Sequence, residues 1–119
     1  MSAPRYVTTL DGVKRLKSQE RAVLKNVEEK FAFRCNEYYL SLIDWDDPDD
    51  PIRRIVIPSG EELEMWGDLD ASEERQYTVA PGLEHKYEQT ALLLVSDMCG
   101  GFCRYCFRKR LFMGVSREV

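Results

Sequence analysis

The most specific chemical pattern in the sequence is formed by three cysteines that lie within eight residues of one another. Cys99, Cys103 and Cys106 are separated by three and then by two residues. Three thiolates from one loop can bind three irons of a [4Fe–4S] cluster and leave the fourth iron open to a small molecule. Gly100 and Gly101 would let the backbone fold closely around such a cluster. The spacing therefore predicts an iron–sulfur site with one iron available for chemistry.

Positive charge accompanies the cysteines. The cationic residues are Arg104, Arg108, Lys109 and Arg110. Because a cluster with its thiolates and sulfides is negative overall, we expect these side chains to offset its charge.

Zinc, a ferredoxin-type cluster and metal-free thiols are the alternatives for these cysteines. Structural zinc needs four tetrahedral ligands, commonly in Cys-x2-Cys pairs, and Cys35 or His85 could complete a set with the three thiols. A bacterial ferredoxin has two-residue gaps and a further cysteine before proline, which this sequence lacks. A trio of cysteines without a metal is the simplest alternative. The spacing favours an iron–sulfur cluster held by three thiolates over all of these.

Composition limits the class of protein. The chain has 119 residues, of which 44% are hydrophobic and 32% charged, so we expect one small globular domain. A net charge of −4 gives no reason to expect nucleic acid or a membrane as partner. The longest apolar run, residues 91–95, is too short to span a bilayer, and the start lacks a signal-peptide core. We expect a soluble cytoplasmic protein, whose reduced thiols serve a metal instead of disulfides.

Helices and loops occupy most of the chain before the cysteines. Ser18 is a candidate N-cap for an amphipathic helix over residues 19–34. The apolar face of that helix would comprise Val23, Leu24, Val27 and Phe31. Residues 44–51, rich in Asp and Pro, predict a solvated turn with no helix. Ser59 would cap a short helix over residues 61–66, and residues 67–82 read as a connecting loop.

A single strand is predicted immediately before the cysteines. Residues 91–95 are continuously apolar, which suits a strand buried on both faces, as in parallel sheets. The cysteines would then follow the carboxyl end of a strand, where α/β barrels place their sites. The fold class expected from these elements is α/β.

The sequence resembles the lysine 2,3-aminomutase family of radical S-adenosylmethionine (SAM) enzymes. The cysteine spacing is that of the radical SAM superfamily, and the neighbouring segments narrow the resemblance to the family. These segments are residues 38–44, 49–53, 81–83, 85–87, 91–99 and 103–110. The similarity covers about residues 16–115. It implies a [4Fe–4S] cluster, SAM and usually pyridoxal 5′-phosphate (PLP), which together move an amino group between the α and β carbons of an amino acid.

Residue roles follow from the resemblance, position by position. Cys99, Cys103 and Cys106 would be the cluster ligands. Tyr105 matches an aromatic residue that lies near the adenine of SAM. Arg108 matches an arginine that binds the substrate carboxylate, a task suited to a planar bidentate donor. No catalytic acid, base or nucleophile is assigned within the chain.

Two further residues match positions that contact PLP in the family. These are Lys86, where arginine is frequent, and Tyr87. At the position of Thr90 the aminomutases usually have a second arginine that binds the phosphate of PLP. Because this chain departs from the family there, the resemblance does not specify which amino acid is the substrate. The string from Cys103 to Arg108 is also similar to the branch that isomerises a lysine on elongation factor P.

The resemblance implies the N-terminal portion of the enzyme. The family's glycine-rich SAM-binding strand and its Schiff-base lysine would lie beyond residue 119, and a full (β/α)8 barrel takes about 250 residues. Residues 1–84 would form a helical and irregular N-terminal region. Residues 85–119 would begin a partial (β/α) barrel of radical SAM type, truncated after its cluster loop.

The expected function is therefore that of a radical SAM, PLP-dependent amino-acid 2,3-aminomutase, an isomerase, with the 119-residue chain alone inactive. The alternative is a non-catalytic zinc or iron–sulfur module. The implied partners are a free amino acid or a lysine on elongation factor P, and a reducing electron donor such as flavodoxin or ferredoxin. The resemblance also leaves room for a homo-oligomer.

Overall fold

A computed structural model gives the structure of the chain, and it forms two compact units. The structure describes residue 3 and residues 5–64, 67–96 and 98–113. Unit 1 comprises Met1–Glu64 and Cys99–Cys106, and unit 2 comprises Met65–Met98 and Phe107–Val119. The division at residue 85, expected from the sequence, stays a prediction.

The described residues of unit 1 form three α-helices and a two-stranded antiparallel sheet. The helices are α1 (Ser18–Lys30), α2 (Glu37–Ser41) and α3 (Pro51–Val56), and the strands are β1 (Tyr6–Val7) and β2 (Cys35–Asn36). Two short 3-10 helices lie at Leu10–Gly12 and Gly60–Leu63. The core of this unit consists of Leu10, Val13, Leu16, Phe33, Cys35, Ile43, Val56 and Ile57. It lies beneath the segment that carries the cysteines.

The amphipathic helix predicted after Ser18 is confirmed as α1, which ends at Lys30. Its N-cap is Lys17, without a side-chain hydrogen bond, so the predicted Ser18 cap is wrong. Val27 is fully buried as expected, but Val23 is 70% exposed. Val23 lines an open groove of unit 1 instead of contacting the core, which is why its helical position alone gave the wrong expectation.

Capping side chains begin two short helices of unit 1. The Asp50 carboxylate accepts a hydrogen bond from the Arg53 backbone N–H at 2.9 Å, and Pro51 occupies the first helical position. The predicted turn is confirmed over residues 44–50, and α3 begins at the last residue of the segment, Pro51, because proline is well suited to a first helical position. The Ser59 cap is confirmed, in a capping box with Glu62. The helix that follows is a 3-10 helix that ends at Leu63, earlier than the predicted end at Trp66, which lies outside the described residues.

Unit 2 is built on a three-stranded antiparallel sheet of order β3-β4-β5. The strands are β3 (Thr78–Ala80), β4 (Leu83–Tyr87) and β5 (Thr90–Leu93), and 3-10 helices lie at Glu74–Tyr77 and Lys109–Phe112. The expectation of a continuous loop over residues 67–82 is therefore wrong. Among the described residues of this unit, the side chains that are almost fully buried are charged, namely Glu74, Glu84 and Arg110.

The predicted strand before the cysteines is confirmed as β5, but its expected environment is not. It pairs antiparallel with β4, with Leu93 opposite Leu83 and Thr90 opposite Tyr87, and all four of its residues are exposed. Burial on both faces is thus wrong for the described chain. Only two residues separate β4 from β5, and such a short connection joins antiparallel neighbours, whereas parallel strands need a long crossover.

The architecture is a mixture of short helices and two small antiparallel sheets. The coarse expectation of helices and strands together is confirmed, and the partial barrel stays a prediction. In the part of the chain that the structure describes, no helix is both long enough and apolar enough to cross a membrane.

Candidate metal and substrate sites

The segment Cys99–Cys106, here called the cysteine loop, is attached to the core of unit 1 by backbone hydrogen bonds. The Asn36 N–H donates to the Gly100 carbonyl at 3.0 Å, and the Phe102 N–H donates to the Arg34 carbonyl at 2.8 Å. Cys35 and Gly101 form an antiparallel bridge between these two bonds. The loop therefore lies against β2 as an additional strand-like segment, which fixes the backbone between the first two cysteines.

Arg104 anchors the second half of the cysteine loop. Its guanidinium donates to Glu62 through Nη2 at 2.8 Å and through Nε at 3.1 Å, and Nη1 donates to the Ala32 carbonyl at 2.9 Å. Its backbone N–H donates to the Ile55 carbonyl at 2.7 Å. The side chain is 5% exposed. Arg104 was expected to offset cluster charge, and the structure instead gives it a buried, multiply bonded structural role.

The three predicted ligands lie together in the cysteine loop and differ in exposure. Cys103 is exposed, whereas Cys99 and Cys106 are partly buried. The Cys99 thiol donates to the Gly101 carbonyl at 3.1 Å. Burial raises the pKa of Cys103, and the negative charge of the Cys99 and Cys106 thiolates raises it further. The Cys103 thiol thus lies close enough to the other two cysteines to be affected by their charge.

The donor set of the cysteine loop fits an iron–sulfur cluster. Iron–sulfur clusters are bound to proteins by cysteine thiolates. The positive charge of the irons would offset the repulsion between neighbouring thiolates. In the described chain, no group of three or more His, Cys, Asp or Glu side chains is already gathered in a metal-binding arrangement. The loop supplies the ligand types, and their final positions would be set by the bound metal.

Cys35 lies beside the cysteine loop, which the sequence did not indicate because more than sixty residues separate it from Cys99. The side chain is fully buried in the core of unit 1. Burial raises the pKa of its thiol to about 11, with a smaller contribution from the Cys103 thiolate. A metal ligand must be a thiolate, so this environment favours a core role for Cys35.

Glycine is not required at positions 100 and 101 by the surrounding protein. A Cβ built on Gly101 would lie 3.5 Å from Val56 Cγ1, and one built on Gly100 would lie 3.4 Å from Asn36 Nδ2. Both distances are ordinary van der Waals contacts, and neither residue has a positive φ. The described protein atoms therefore leave room for a larger residue at both positions. The predicted advantage of glycine there would concern a bound cluster.

Tyr105 lies on the wall of an open groove of about 580 Å³ in unit 1. Its side chain is 72% exposed. The groove also includes Val23 and Leu24 of α1 and Arg53 of α3. An exposed aromatic ring can stack on a planar heterocycle. The adenine contact that the resemblance implies for Tyr105 stays a prediction.

The predicted PLP contacts lie on the sheet of unit 2. Lys86 and Tyr87 are exposed on β4, and Thr90 is exposed on β5, directly opposite Tyr87. The Lys86 ammonium lies 5.2 Å from the centroid of the Tyr77 ring and 5.8 Å from that of Tyr87. These residues offer a phosphate one ammonium group and two hydroxyl groups. These groups could donate hydrogen bonds to a phosphate, although the pair of arginines that is usual in the family is replaced by Lys86 and Thr90.

Arg108 belongs to a cluster of five charged residues in unit 2, here called the charged cluster. Its members are Asp70, Glu74, Glu84, Arg108 and Arg110. Arg108 Nε donates to Glu74 Oε2 at 3.1 Å, and its Cζ lies 4.3 Å from the centroid of the Phe107 ring. Arg110, 1% exposed, lies within ion-pair distance of all three carboxylates. Sequence reasoning found Arg108 and missed its acidic partners.

The carboxyl groups of the charged cluster have different proton affinities. Burial raises the pKa of Glu84 to about 7, helped by the adjacent Glu74 carboxylate. Burial also acts on Glu74, but hydrogen bonds from Glu84 and Arg108 and the two guanidinium charges hold its pKa below the usual value. Two ionised carboxylates and two guanidinium groups remain when Glu84 carries a proton. The cluster can then be electrically neutral near pH 7.

We expect the free energy of unfolding to fall as the pH is raised from about 5 to about 7. The pKa of Glu84 rises from 4.5 to about 7 on folding, so in this window the folded chain binds more protons than the unfolded chain. The stabilisation by protonated Glu84 is complete below pH 4.5 and is lost as the pH rises through about 7. The free energy of unfolding then falls by at most about 1.4 kcal/mol per pH unit.

Urea unfolding at pH 5, 6, 7 and 8 measures this dependence. The groups that act on the Glu84 carboxyl are Glu74, Arg108 and Arg110, and the pKa of Glu74 lies below this window. Glu84→Gln resembles the protonated side chain and should remove the fall between pH 5 and 7. An equal fall in Glu84→Gln and wild type would show that another group is responsible.

Comparison with known proteins gives relatives that cover nearly the whole chain. No protein-family model matches it. The chain is 60% identical over 115 residues, or 97% of its length, to a protein of Aquifex aeolicus provisionally named L-lysine 2,3-aminomutase, of which it covers 31%. It is 42% identical to the L-lysine 2,3-aminomutase of Clostridium subterminale, covering 86% of this chain and 24% of that protein. It is 35% identical to the glutamate 2,3-aminomutase of Clostridioides difficile, covering 87% and 25% respectively.

The matches confirm the resemblance indicated by the cysteine loop and its neighbouring segments. They also show that the chain spans about a quarter to a third of the length of these relatives. By sequence, this chain is therefore homologous to part of the lysine 2,3-aminomutases.

Proposed function

We propose that this chain is part of a radical SAM aminomutase that moves an amino group between the α and β carbons of an amino acid. The observation that carries the proposal is the cysteine loop, which presents three thiols from one backbone segment fixed against β2. Identity of 60% with a provisionally named lysine 2,3-aminomutase supports it. The bound cluster, SAM and PLP would supply radical generation and the electron-accepting conjugated system.

The residues of the chain would bind and orient these groups. Cys99, Cys103 and Cys106 would hold the cluster, and the bonds from Arg104 to Glu62 and Ala32 would keep their loop in place. Tyr105 would stack on the adenine of SAM. A bound metal would replace the protons on these thiols and offset the negative charge of the thiolates around Cys103.

Unit 2 carries the residues proposed for substrate and PLP binding. Arg108 would bind the substrate carboxylate, because a guanidinium has five N–H donors and the bond to Glu74 occupies one of them. Lys86 and Tyr87 would contact the phosphate of PLP. Exposed apolar side chains on and after β5, at Leu92, Leu93 and Val95, suit a surface that further parts of a longer protein cover.

A zinc-binding module without turnover is the second candidate. The position of Cys35 beside Gly101 favours it, because a fourth thiol then lies next to the loop. Zinc in structural sites takes four such ligands. The burial of Cys35 in the core argues against this arrangement.

We expect the longer protein that contains this chain to convert an α-amino acid into its β-isomer, and residues 1–119 alone to show no turnover. The isolated chain would leave a radical open to side reactions with nearby protein C–H and S–H groups, and exclusion of such side reactions requires a closed site. The assay is anaerobic, with SAM, PLP, a reductant, and lysine, glutamate or arginine, and β-amino acids are quantified by mass spectrometry.

The outcomes of this assay separate the candidates. Turnover by residues 1–119 alone would contradict the expected dependence on further chain. If the longer protein carries a cluster but converts no free amino acid, a lysine on elongation factor P is tested next. Stoichiometric zinc together with failure on every substrate would overturn the aminomutase proposal in favour of the zinc module.

A further inference from the structure

The guanidinium of Arg108 is restrained by two contacts of different kinds. Glu74 Oε2 accepts from Nε at 3.1 Å and so fixes one edge of the group. The Phe107 ring, with its centroid 4.3 Å from Cζ, covers one face. An edge contact and a face contact together define the plane of a guanidinium. The side chain is nevertheless 28% exposed, so part of it can meet a ligand.

We propose that Glu74 is a positioning residue for Arg108 and holds its guanidinium in the orientation that binds the carboxylate of the amino-acid substrate. This inference rests on the proposed function and extends it to a residue that does not itself touch the substrate. Glu74 acts through the hydrogen bond to Nε. The remaining N–H donors of Arg108 are thereby directed as a group.

Glu74 is itself held firmly enough to orient another side chain. Its carboxylate is 7% exposed, and its backbone N–H donates to Asp70 Oδ1 at 2.9 Å at the start of a 3-10 helix. Glu74 Oε1 lies 3.6 Å from Arg110 Nη1, and Arg110 is almost fully buried. A supporting residue that is anchored in this way restricts the rotamers of the residue it contacts.

The charge balance of the cluster leaves Arg108 able to attract an anion. Arg108 shares the Glu74 carboxylate with Arg110, so the negative charge of Glu74 is divided between the two guanidinium groups. Protonation of Glu84 removes one further negative charge from the cluster. A substrate carboxylate would therefore meet a cation whose position is fixed but whose charge is only partly compensated.

The test uses the longer protein with Glu74→Gln, Arg108→Lys and the double variant, and with Glu73→Gln as a matched control. Glu73 is the adjacent, exposed glutamate, and its carboxylate bonds to Gln76. The probe is L-lysine, with cadaverine as the analogue that lacks the carboxylate. Affinity is measured by calorimetry, and KM and kcat by the β-lysine assay.

We expect Glu74→Gln to weaken L-lysine binding and raise KM by about tenfold, within the range for coupled neighbouring side chains. Cadaverine affinity should not change, because no carboxylate is there to be oriented. In the Arg108→Lys background, Glu74→Gln should have less than about a twofold effect, since the residue through which it acts is already altered. Glu73→Gln should behave as wild type.

Three results would overturn the inference. Tighter binding of L-lysine by Glu74→Gln would show that Glu74 competes with the substrate for Arg108. Equal losses for L-lysine and cadaverine, or additive losses in the double variant, would show a merely structural role. Failure of the proposed function can be distinguished from failure of this inference alone. In the first case the wild-type protein would neither bind nor convert any amino acid, and the inference would then also be wrong.

Discussion

Replacing any one of Cys99, Cys103 and Cys106 by alanine is expected to abolish the brown iron–sulfur absorbance of anaerobically reconstituted protein. The wild-type protein should bind about four irons and four sulfides, since three thiolates suffice to hold a [4Fe–4S] cluster. Loss of one thiolate leaves two ligands on one loop, too few to retain the cluster. Iron, sulfide and absorbance measurements on each variant test this.

Cys35→Ala is the matched control, because it removes a thiol that lies beside the same loop. Cys35 is fully buried and belongs to the core of unit 1, so its loss should leave iron and sulfide content unchanged and lower stability only modestly. Loss of the cluster in Cys35→Ala would show that a fourth thiol belongs to the site. Stoichiometric zinc in wild type without any cluster would contradict the iron–sulfur site.

The largest stability effect is expected for Arg104→Met. This change removes the guanidinium from a buried pair with Glu62, whose side chain is 12% exposed, and also removes the bond to the Ala32 carbonyl. Loss of one partner leaves the other charge buried without compensation, which costs about 3–5 kcal/mol. We expect a decrease of that size in the free energy of unfolding, measured by urea titration of the metal-free protein.

Two further variants show whether this loss arises from the pair. Arg54→Met removes an exposed arginine from α3 and should change the free energy of unfolding by less than about 0.5 kcal/mol. Glu62→Gln combined with Arg104→Met should cost less than the sum of the single changes, because the buried charge is gone. Strict additivity, or a loss below about 1 kcal/mol for Arg104→Met, would contradict the anchoring role.

Loss of the anchor should also affect the site. Arg104 lies between Cys103 and Cys106, and its backbone and side chain connect the cysteine loop to residues 32, 55 and 62. We therefore expect Arg104→Met to reconstitute less cluster than Arg54→Met at equal iron and sulfide. The chemistry of the cysteines and the stability of unit 1 are linked through this one side chain.

The sequence by itself determined the features that depend on near neighbours along the chain. The spacing of Cys99, Cys103 and Cys106 placed three thiols in one loop, and the structure keeps them there. The apolar periodicity after Ser18 predicted α1, and Ser59 predicted a cap, because both signals act within one or two helical turns. The relationship to the aminomutases also followed from short strings of residues.

Tertiary structure alone decided which side chains meet across the chain. Arg104 and Glu62 are 42 residues apart, and Arg108 and Glu74 are 34 apart, so nothing in the local sequence pairs them. The apolar run of β5 had the composition of a buried strand, yet its neighbours and its exposure depend on the turn to β4. Burial and ion pairing are properties of the assembled fold, and for that reason the partners of Arg104 and Arg108 could be found only in the structure.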